Sequence, residues 1–233
     1  EGSVLLGCDY SQVELRVLAH VSQDPELMGA FHRGEDVHAA TAAAILGIPL
    51  QEVTPDQRSL AKTINFGLMY GMSDYGLSSR TDLSVSESRI FIDAYFTRFS
   101  RVKAYLDKTL RQAQEDGYVE TIMGRRRYFP ELQSHSAAAL RHAAERAAIN
   151  LPIQGSAADI IKLAMIELDR RLKQDGFQAR MVLQVHDELV LEVPETELEA
   201  VQALVVDTME HAYTLDVPLK VQVATGKNWM EMK

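Results

Sequence analysis

The first polar–apolar pattern in the chain is an apolar run, Val4-Leu5-Leu6-Gly7-Cys8, that ends on an acid, Asp9. The run predicts a strand over residues 3–9. Helical signals then follow one another. Asp24-Pro25 predicts a helix start, with Asp as the cap and Pro in the first helical position. Asp36 starts another helix, which reaches Gly47. Thr54-Pro55-Asp56-Gln57 forms a capping box and predicts a helix from Pro55 to about Tyr70. Ser84-Val85-Ser86-Glu87 is a second box, read as the start of one long helix toward Gly117. A short hairpin is expected around Gly124. The Ala-rich residues 136–150 predict a helix broken near Pro152. Ser156 and Asp159 open the next one, which passes Leu172 and stops near Gly176.

After Gly176 the period changes. In "ARMVLQVHDELVLEVPE" β-branched residues flank His186-Asp187-Glu188, and the pattern predicts two strands joined by a tight turn. A helix at 195–212 and a strand at 218–224 complete the reading. Helices outnumber strands, and the strands lie far apart in the chain. The fold class is therefore α+β: an antiparallel sheet with a large helical insertion.

Bulk composition narrows the function classes. The chain is 46% hydrophobic and 24% charged, enough for a sizeable core. No apolar run reaches the 18 residues of a membrane-spanning helix, and the N-terminal residues lack the pattern of a signal peptide. Cys8, the single cysteine, excludes an internal disulfide and reads as a small buried hydrophobe in a reducing compartment. The net charge of −9 argues against a nucleic-acid partner unless basic residues cluster. They do cluster in Gly124-Arg125-Arg126-Arg127-Tyr128-Phe129, with Arg58, Lys62, Arg141 and Arg146 elsewhere. A solvated turn and a phosphate-binding patch are equally good readings of the arginine run.

Two constellations carry chemistry. Asp187 and Glu188 interrupt an apolar strand pair without the Asn-Gly type of turn residues. Adjacent carboxylates repel unless a cation relieves them, although acids at a solvated hairpin tip are also common. If the strand ending at Asp9 is a neighbour, Asp9 and Asp187 face one site. Carboxylates without a His or Cys cluster suit a hard cation such as Mg²⁺. A pair of ions is the usual arrangement for phosphoryl transfer. The second constellation is the stripe Arg58, Lys62, Phe66, Tyr70, recurring every four residues with about 6 Å of rise between members. Its basic members lie toward the helix N-terminus, where anions are favoured. A triphosphate could lie on them, with its sugar and base against the aromatics; a helix with a half-buried face gives the same pattern.

"DYSQVELR" at 9–16, "RSLAKTINFGLMYG" at 58–71 and "QVHDELVLE" at 184–192 resemble, in order and spacing, the three signature motifs of family A DNA polymerases, the bacterial DNA polymerase I type. "TIMGRRRYFPEL", "ERAAINLPIQGSAADIIKLAMIEL" and "VPLKVQVATGKNW" are similar to that family as well, so the resemblance spans nearly the whole chain. It implies a palm over 1–22 and 142–233, carrying the catalytic acids, and helical fingers over 23–141. It implies template-dependent transfer of deoxynucleoside monophosphates to a primer 3′-hydroxyl in replication or repair. Asp9 and Asp187 would hold two Mg²⁺ ions with the carbonyl of Tyr10, and Glu188 would support them. Arg58 and Lys62 would grip the triphosphate, Lys62 also serving as proton donor to pyrophosphate. His38 and Gln12 would add phosphate-side contacts. Glu14, hydrogen-bonded to Tyr70, would exclude ribonucleotides. Phe66 would select against dideoxynucleotides. Arg146, Asn150, Gln154 and His186 would contact the primer-template minor groove. Implied partners are primer-template DNA and dNTPs, with no membrane; the implied setting is a monomer in the bacterial cytoplasm, at the nucleoid.

The family's thumb and early palm segment precede the strand matching Asp9 and have no counterpart in the sequence, so the isolated 233 residues are expected to be weakly active or inactive. Three other readings stay open. A single-subunit RNA polymerase shares the plan, but Glu14 argues against it. A non-catalytic nucleic-acid-binding module is disfavoured by the joint presence of Asp9, Lys62 and Asp187. A two-metal nuclease accounts for the acids but not for the Arg58–Tyr70 stripe.

Overall fold

The computed structural model of the chain describes residues 2–133 and 137–232. In chain order it runs β1 (Ser3–Tyr10), α1 (Val13–Ser22), α2 (Pro25–His32), α3 (Val37–Leu46), α4 (Pro55–Met69), α5 (Asp74–Ser78), α6 (Val85–Arg98), α7 (Ser100–Asp116), β2 (Tyr118–Glu120), β3 (Arg126–Tyr128), α8 (Pro130–Gln133), α9 (Ala138–Gln174), β4 (Arg180–Val185), β5 (Glu188–Pro194), α10 (Leu198–Glu210) and β6 (Val221–Gly226). Two compact units result: residues 1–14 with 157–233, and residues 15–156. The units divide after 14 and 156, within helices α1 and α9, which continue through both points.

The first unit is built on a four-stranded sheet in the order β4-β5-β1-β6, antiparallel throughout. Side chains alternate along β1. Leu6, Cys8 and Tyr10 are buried on one face, and the Tyr10 hydroxyl donates to the Met209 carbonyl of α10 at 2.6 Å. Leu5, Gly7 and Asp9 take the other face. Cys8 pairs with Leu189 in the register, and burial, then the charge of Glu188, push its thiol up to about 12, so it acts as a small hydrophobe. Arg171 ties α9 to α10 through Asp207 at 2.6 Å and Thr208 at 2.9 Å.

The second unit is helical apart from the β2–β3 hairpin, which turns at Gly124 with φ of +77°. Both capping boxes form as the sequence predicts, at Thr54/Gln57 and Ser84/Glu87. Two expectations need correction. The helix begun at Ser84 is not continuous to Gly117, because it ends at Arg98 and a new one starts at Ser100. The break is stabilised from afar. The buried carboxylate of Asp24 caps α2 through the amides of Glu26 and Leu27, and its second oxygen accepts the Arg101 amide at 3.1 Å. Pro152, conversely, does not break α9. An interior proline costs about 3 kcal/mol. Burial of Ala148 and Ile153 beside it, and of Ile160 and Ala164 beyond, offsets that cost, and Ser156 Oγ donates to the Pro152 carbonyl. The start of the predicted 136–150 helix, Ser136, lies outside the described residues.

The arginine run is partly satisfied within the hairpin. Arg126 lies 4.5 Å from the Tyr118 ring centroid and bonds Glu120 at 3.1 Å, while Arg127 lies 5.1 Å from the Phe129 ring.

Candidate functional site

The acid site belongs to the first unit. In the register Asp9 stands directly opposite Glu188, and β4 and β5 are joined by the two residues His186 and Asp187. A two-residue hairpin turn of this kind needs left-handed backbone, usually from Gly or Asn. Here His186 supplies it, at φ of +54°. The amide of Tyr10 donates to the Asp187 carbonyl at 3.1 Å, which ties the turn to the end of β1. The Asp9 carboxyl is pushed up to about 6, first by burial, then by the charges of Asp187 and Glu188 and by a hydrogen bond with the Asp187 side chain. Asp9 and Asp187 thus lie close enough for the Asp187 charge to oppose ionisation of Asp9, a repulsion that a bound cation relieves.

A cavity of about 530 Å³ opens in front of them, lined by Gly7, Asp9, His186, Asp187, Glu188 and Trp229 among others. Glu188 lies over Gly7: a Cβ there would fall 2.7 Å from Glu188 Oε1. Trp229 Nε1 donates to Glu188 Oε2 at 3.4 Å. Among the described residues no group of three or more His, Cys, Asp or Glu side chains is placed to hold a metal ion. The donor set is two carboxylates with an open cavity beside them. That fits Mg²⁺, which takes one or two carboxylates and completes its shell with water and phosphate oxygens.

Beyond Asp9 the chain turns sharply. The Ser11 amide donates to the Lys220 carbonyl at 2.8 Å, and Gln12 adopts φ of +57° before α1 begins. Positive φ in a glutamine is uncommon and clusters at functional positions. Glu14, half-buried, follows in the first turn of α1.

The basic stripe belongs to the second unit. Arg58, Lys62 and Phe66 occupy α4, and Tyr70 caps its C-terminus. Phe66 and Tyr70 stack at 6.5 Å between centroids, and His38 of α3 lies 5.6 Å from Phe66. The Arg58 guanidinium is already engaged, at 2.7 Å from Asp36 Oδ2. Burial disfavours the ionised Asp36 carboxyl, but the Arg58 and Ala39 hydrogen bonds outweigh it and hold the group below the usual range. Lys62 is exposed and has no carboxylate partner among the described residues. A cavity of about 870 Å³ runs past Lys62, Phe66, Tyr70, Gly71 and Arg146. Gly71, at φ of +72°, lets the Arg146 side chain pass 3.2 Å from where its Cβ would be. Asn150 donates to Gln154 at 3.2 Å, and its Oδ1 is buried with no hydrogen-bond partner among the described residues.

Of the residues singled out in the sequence, the first unit groups Asp9, Tyr10, Gln12, Glu14, His186, Asp187 and Glu188; the second groups His38, Arg58, Lys62, Phe66, Tyr70, Arg146, Asn150 and Gln154. The sequence reading missed four residues that shape these sites: Gly7, Trp229, Asp36 as the partner of Arg58, and Asn65. A signal existed for Asn65, a polar residue flanked by Ala61, Ile64 and Leu68 on the buried face of α4.

Comparison with known proteins gives one consistent answer. The model of DNA polymerase family A matches residues 1–231. The thermostable DNA polymerase I of Thermus filiformis is 51% identical over 233 residues, all of this chain and 28% of the relative. The DNA polymerase I of Bacillus subtilis is 49% identical over 230 residues, 99% of this chain and 26% of the relative. Among solved structures, the POL domain of Pol1 from M. smegmatis, in complex with DNA primer-template and dNTP, superposes with a TM-score of 0.96 at 48% identity, covering all of this chain and 41% of that one. The chain spans roughly a quarter of the length of the curated relatives it matches.

Proposed function

The chain belongs to DNA polymerase family A, and from that premise we propose that it carries the reaction centre of a DNA-directed DNA polymerase, transferring deoxynucleoside monophosphates from dNTPs to a primer 3′-hydroxyl in replication or repair. The observation that carries the reading is the meeting of Asp9 and Asp187 at the joined ends of β1 and the β4–β5 turn.

In this reading residues 1–22 and 142–233 act as the palm, and residues 23–141 as the fingers. Asp9 and Asp187 would hold two Mg²⁺ ions, with the carbonyl of Tyr10 as a further ligand and Glu188 in support. When bound, the ions supply Lewis-acid activation of the 3′-hydroxyl and neutralise charge on the leaving pyrophosphate. Arg58 and Lys62 bind the triphosphate. Arg58 must leave Asp36 to do so, which costs little: a half-exposed ion pair is worth about 0–1 kcal/mol, against about 1.5–3 kcal/mol for a charge-assisted hydrogen bond. Lys62 then gives a proton to the departing pyrophosphate. His38 and Gln12 contact the phosphates, Glu14 crowds the sugar 2′ position, and Phe66 and Tyr70 flank the nucleoside.

Arg146, Asn150, Gln154 and His186 contact the minor groove of the primer-template. That groove presents nearly the same acceptors for A·T and T·A, so such contacts sense pair geometry rather than sequence. The protein acts as a monomer at the bacterial nucleoid.

A binding titration tests the reading without requiring turnover. With Mg²⁺, dATP binds more tightly than ATP, and Lys62→Ala weakens dATP by about tenfold or more, the equivalent of one charge-assisted contact. Equal affinity for the two nucleotides, together with no loss in Lys62→Ala, overturns it.

A further inference from the structure

Asn65 lies in the middle of α4 with 1% of its surface exposed. A polar amide at such a position needs every hydrogen bond accounted for. Its Nδ2 is 3.0 Å from His38 Nδ1 and 3.1 Å from Thr41 Oγ1, and Thr41 Oγ1 is 2.7 Å from the Val37 carbonyl and 3.3 Å from Asn65 Oδ1. The protons can be placed in sequence. The Val37 carbonyl only accepts, so the Thr41 hydroxyl spends its single proton on that shorter bond. Thr41 Oγ1 is then an acceptor and takes one Asn65 Nδ2 proton. The other Nδ2 proton points to His38 Nδ1, which must therefore be the bare nitrogen of the ring.

We propose that Asn65 is a positioning residue that fixes His38 as the neutral Nε2–H tautomer, so that the imidazole meets a triphosphate as a hydrogen-bond donor. The proposal rests on the reading of His38 as a phosphate-side contact. The surroundings agree with it. Burial, then the cations Arg58 and Lys62 of α4, lower the His38 pKa to about 4, against the opposing charge of Asp36 at the start of α3. A neutral ring beside two cations leaves their charge to the phosphates, and fixing its proton on Nε2 determines which nitrogen can donate.

The test is long-range ¹H–¹⁵N NMR of the His38 ring in the wild type and in Asn65→Asp. The wild type should show a neutral ring protonated at Nε2 throughout pH 5–7.5. In Asn65→Asp the carboxylate accepts from Nδ1, so that nitrogen gains a proton and the ring binds protons at least about tenfold more tightly. A wild-type proton on Nδ1, or an Asn65→Asp spectrum identical to wild type, overturns the proposal. If the variant does not fold, the wild-type assignment alone decides. Adding inorganic tripolyphosphate should shift the Nε2–H resonance of the wild type. An Nε2–H tautomer that ignores tripolyphosphate overturns the phosphate-contact reading and, with it, the donor role, while leaving the Asn65 geometry standing.

Discussion

The amide of Tyr10 donates to the carbonyl of Asp187 at 3.1 Å, joining the end of one strand to a turn from the far end of the sequence. This backbone bond gives Asp9 and Asp187 a common location. Their side chains need no specific attraction to meet, which matters because two carboxylates repel. The sheet register supplies the stability, and the acids are carried by it. Neighbouring Tyr10 keeps its side chain out of the way, buried toward α10.

Gly7 and Trp229 should control the third acid. Gly7→Ala places a methyl group where Glu188 Oε1 now lies, with Met232 Cε 3.3 Å away. The end of a glutamate side chain moves easily, so the stability loss should stay below about 1–3 kcal/mol, the range for overpacking a core. The bond from Trp229 to Glu188 should be lost. Trp229 is the single tryptophan, so its indole N–H resonance and its fluorescence report the change directly. An unaltered indole signal in Gly7→Ala would contradict this placement of Glu188.

Asp24 should be among the most sensitive capping residues. Its carboxylate serves both α2 and α7, and it is 1% exposed. Asp24→Ala removes a cap worth about 0.5–2 kcal/mol and leaves the Arg101 amide without that partner, at about 1–3 kcal/mol more. Denaturant unfolding should show a combined loss near the middle of those ranges, larger than for Ser84→Ala at an exposed cap. Equal losses at the two positions would refute the dual role.

The contrast between these caps shows what the sequence could reveal. Ser84 and Thr54 satisfy helix starts with residues three positions away, so a local pattern exposes them. The break at Phe99 depends on Asp24, which no window around Phe99 contains. Pro152 is the reverse case, a strong local breaker overruled by burial on both sides. The strands ending at Asp9 and surrounding Asp187 were legible because an apolar run marks the first and β-branched residues on both sides of His186-Asp187-Glu188 mark the others. The Arg58–Asp36 pair and the Asn65–His38 bond were not, since each joins side chains whose contact only the packing of α3 on α4 creates.

His38 gives the protein a pH dependence of definite sign. Its folded pKa of about 4 lies below the ordinary 6.5, so the unfolded chain binds its proton more readily. Stability is fully present above pH 6.5 and is lost as pH falls from 6.5 toward 4. The loss attributable to this residue is at most about 3 kcal/mol. Chemical denaturation of wild type and His38→Gln across pH 4–7.5 checks it: the variant should show a flatter profile over that window. Parallel profiles would remove His38 as the source.

Phe66 should set the response to chain terminators. Its ring stacks on Tyr70 beside Lys62, and it carries no hydroxyl to stand in for a missing sugar 3′-OH. Phe66→Tyr should raise the use of dideoxynucleotides relative to dNTPs in a primer-extension competition. Equal terminator use by both proteins would refute the assignment.

Cation binding tests the central claim most directly. Mn²⁺, a spectroscopic substitute for Mg²⁺, can be titrated by calorimetry and electron paramagnetic resonance into the wild type, Asp9→Asn and Asp187→Asn. The account predicts binding that either substitution weakens by about tenfold or more, since each removes one of the two carboxylates that hold the ions. Mn²⁺ affinity unchanged in both variants would show that Asp9 and Asp187 do not share a cation site.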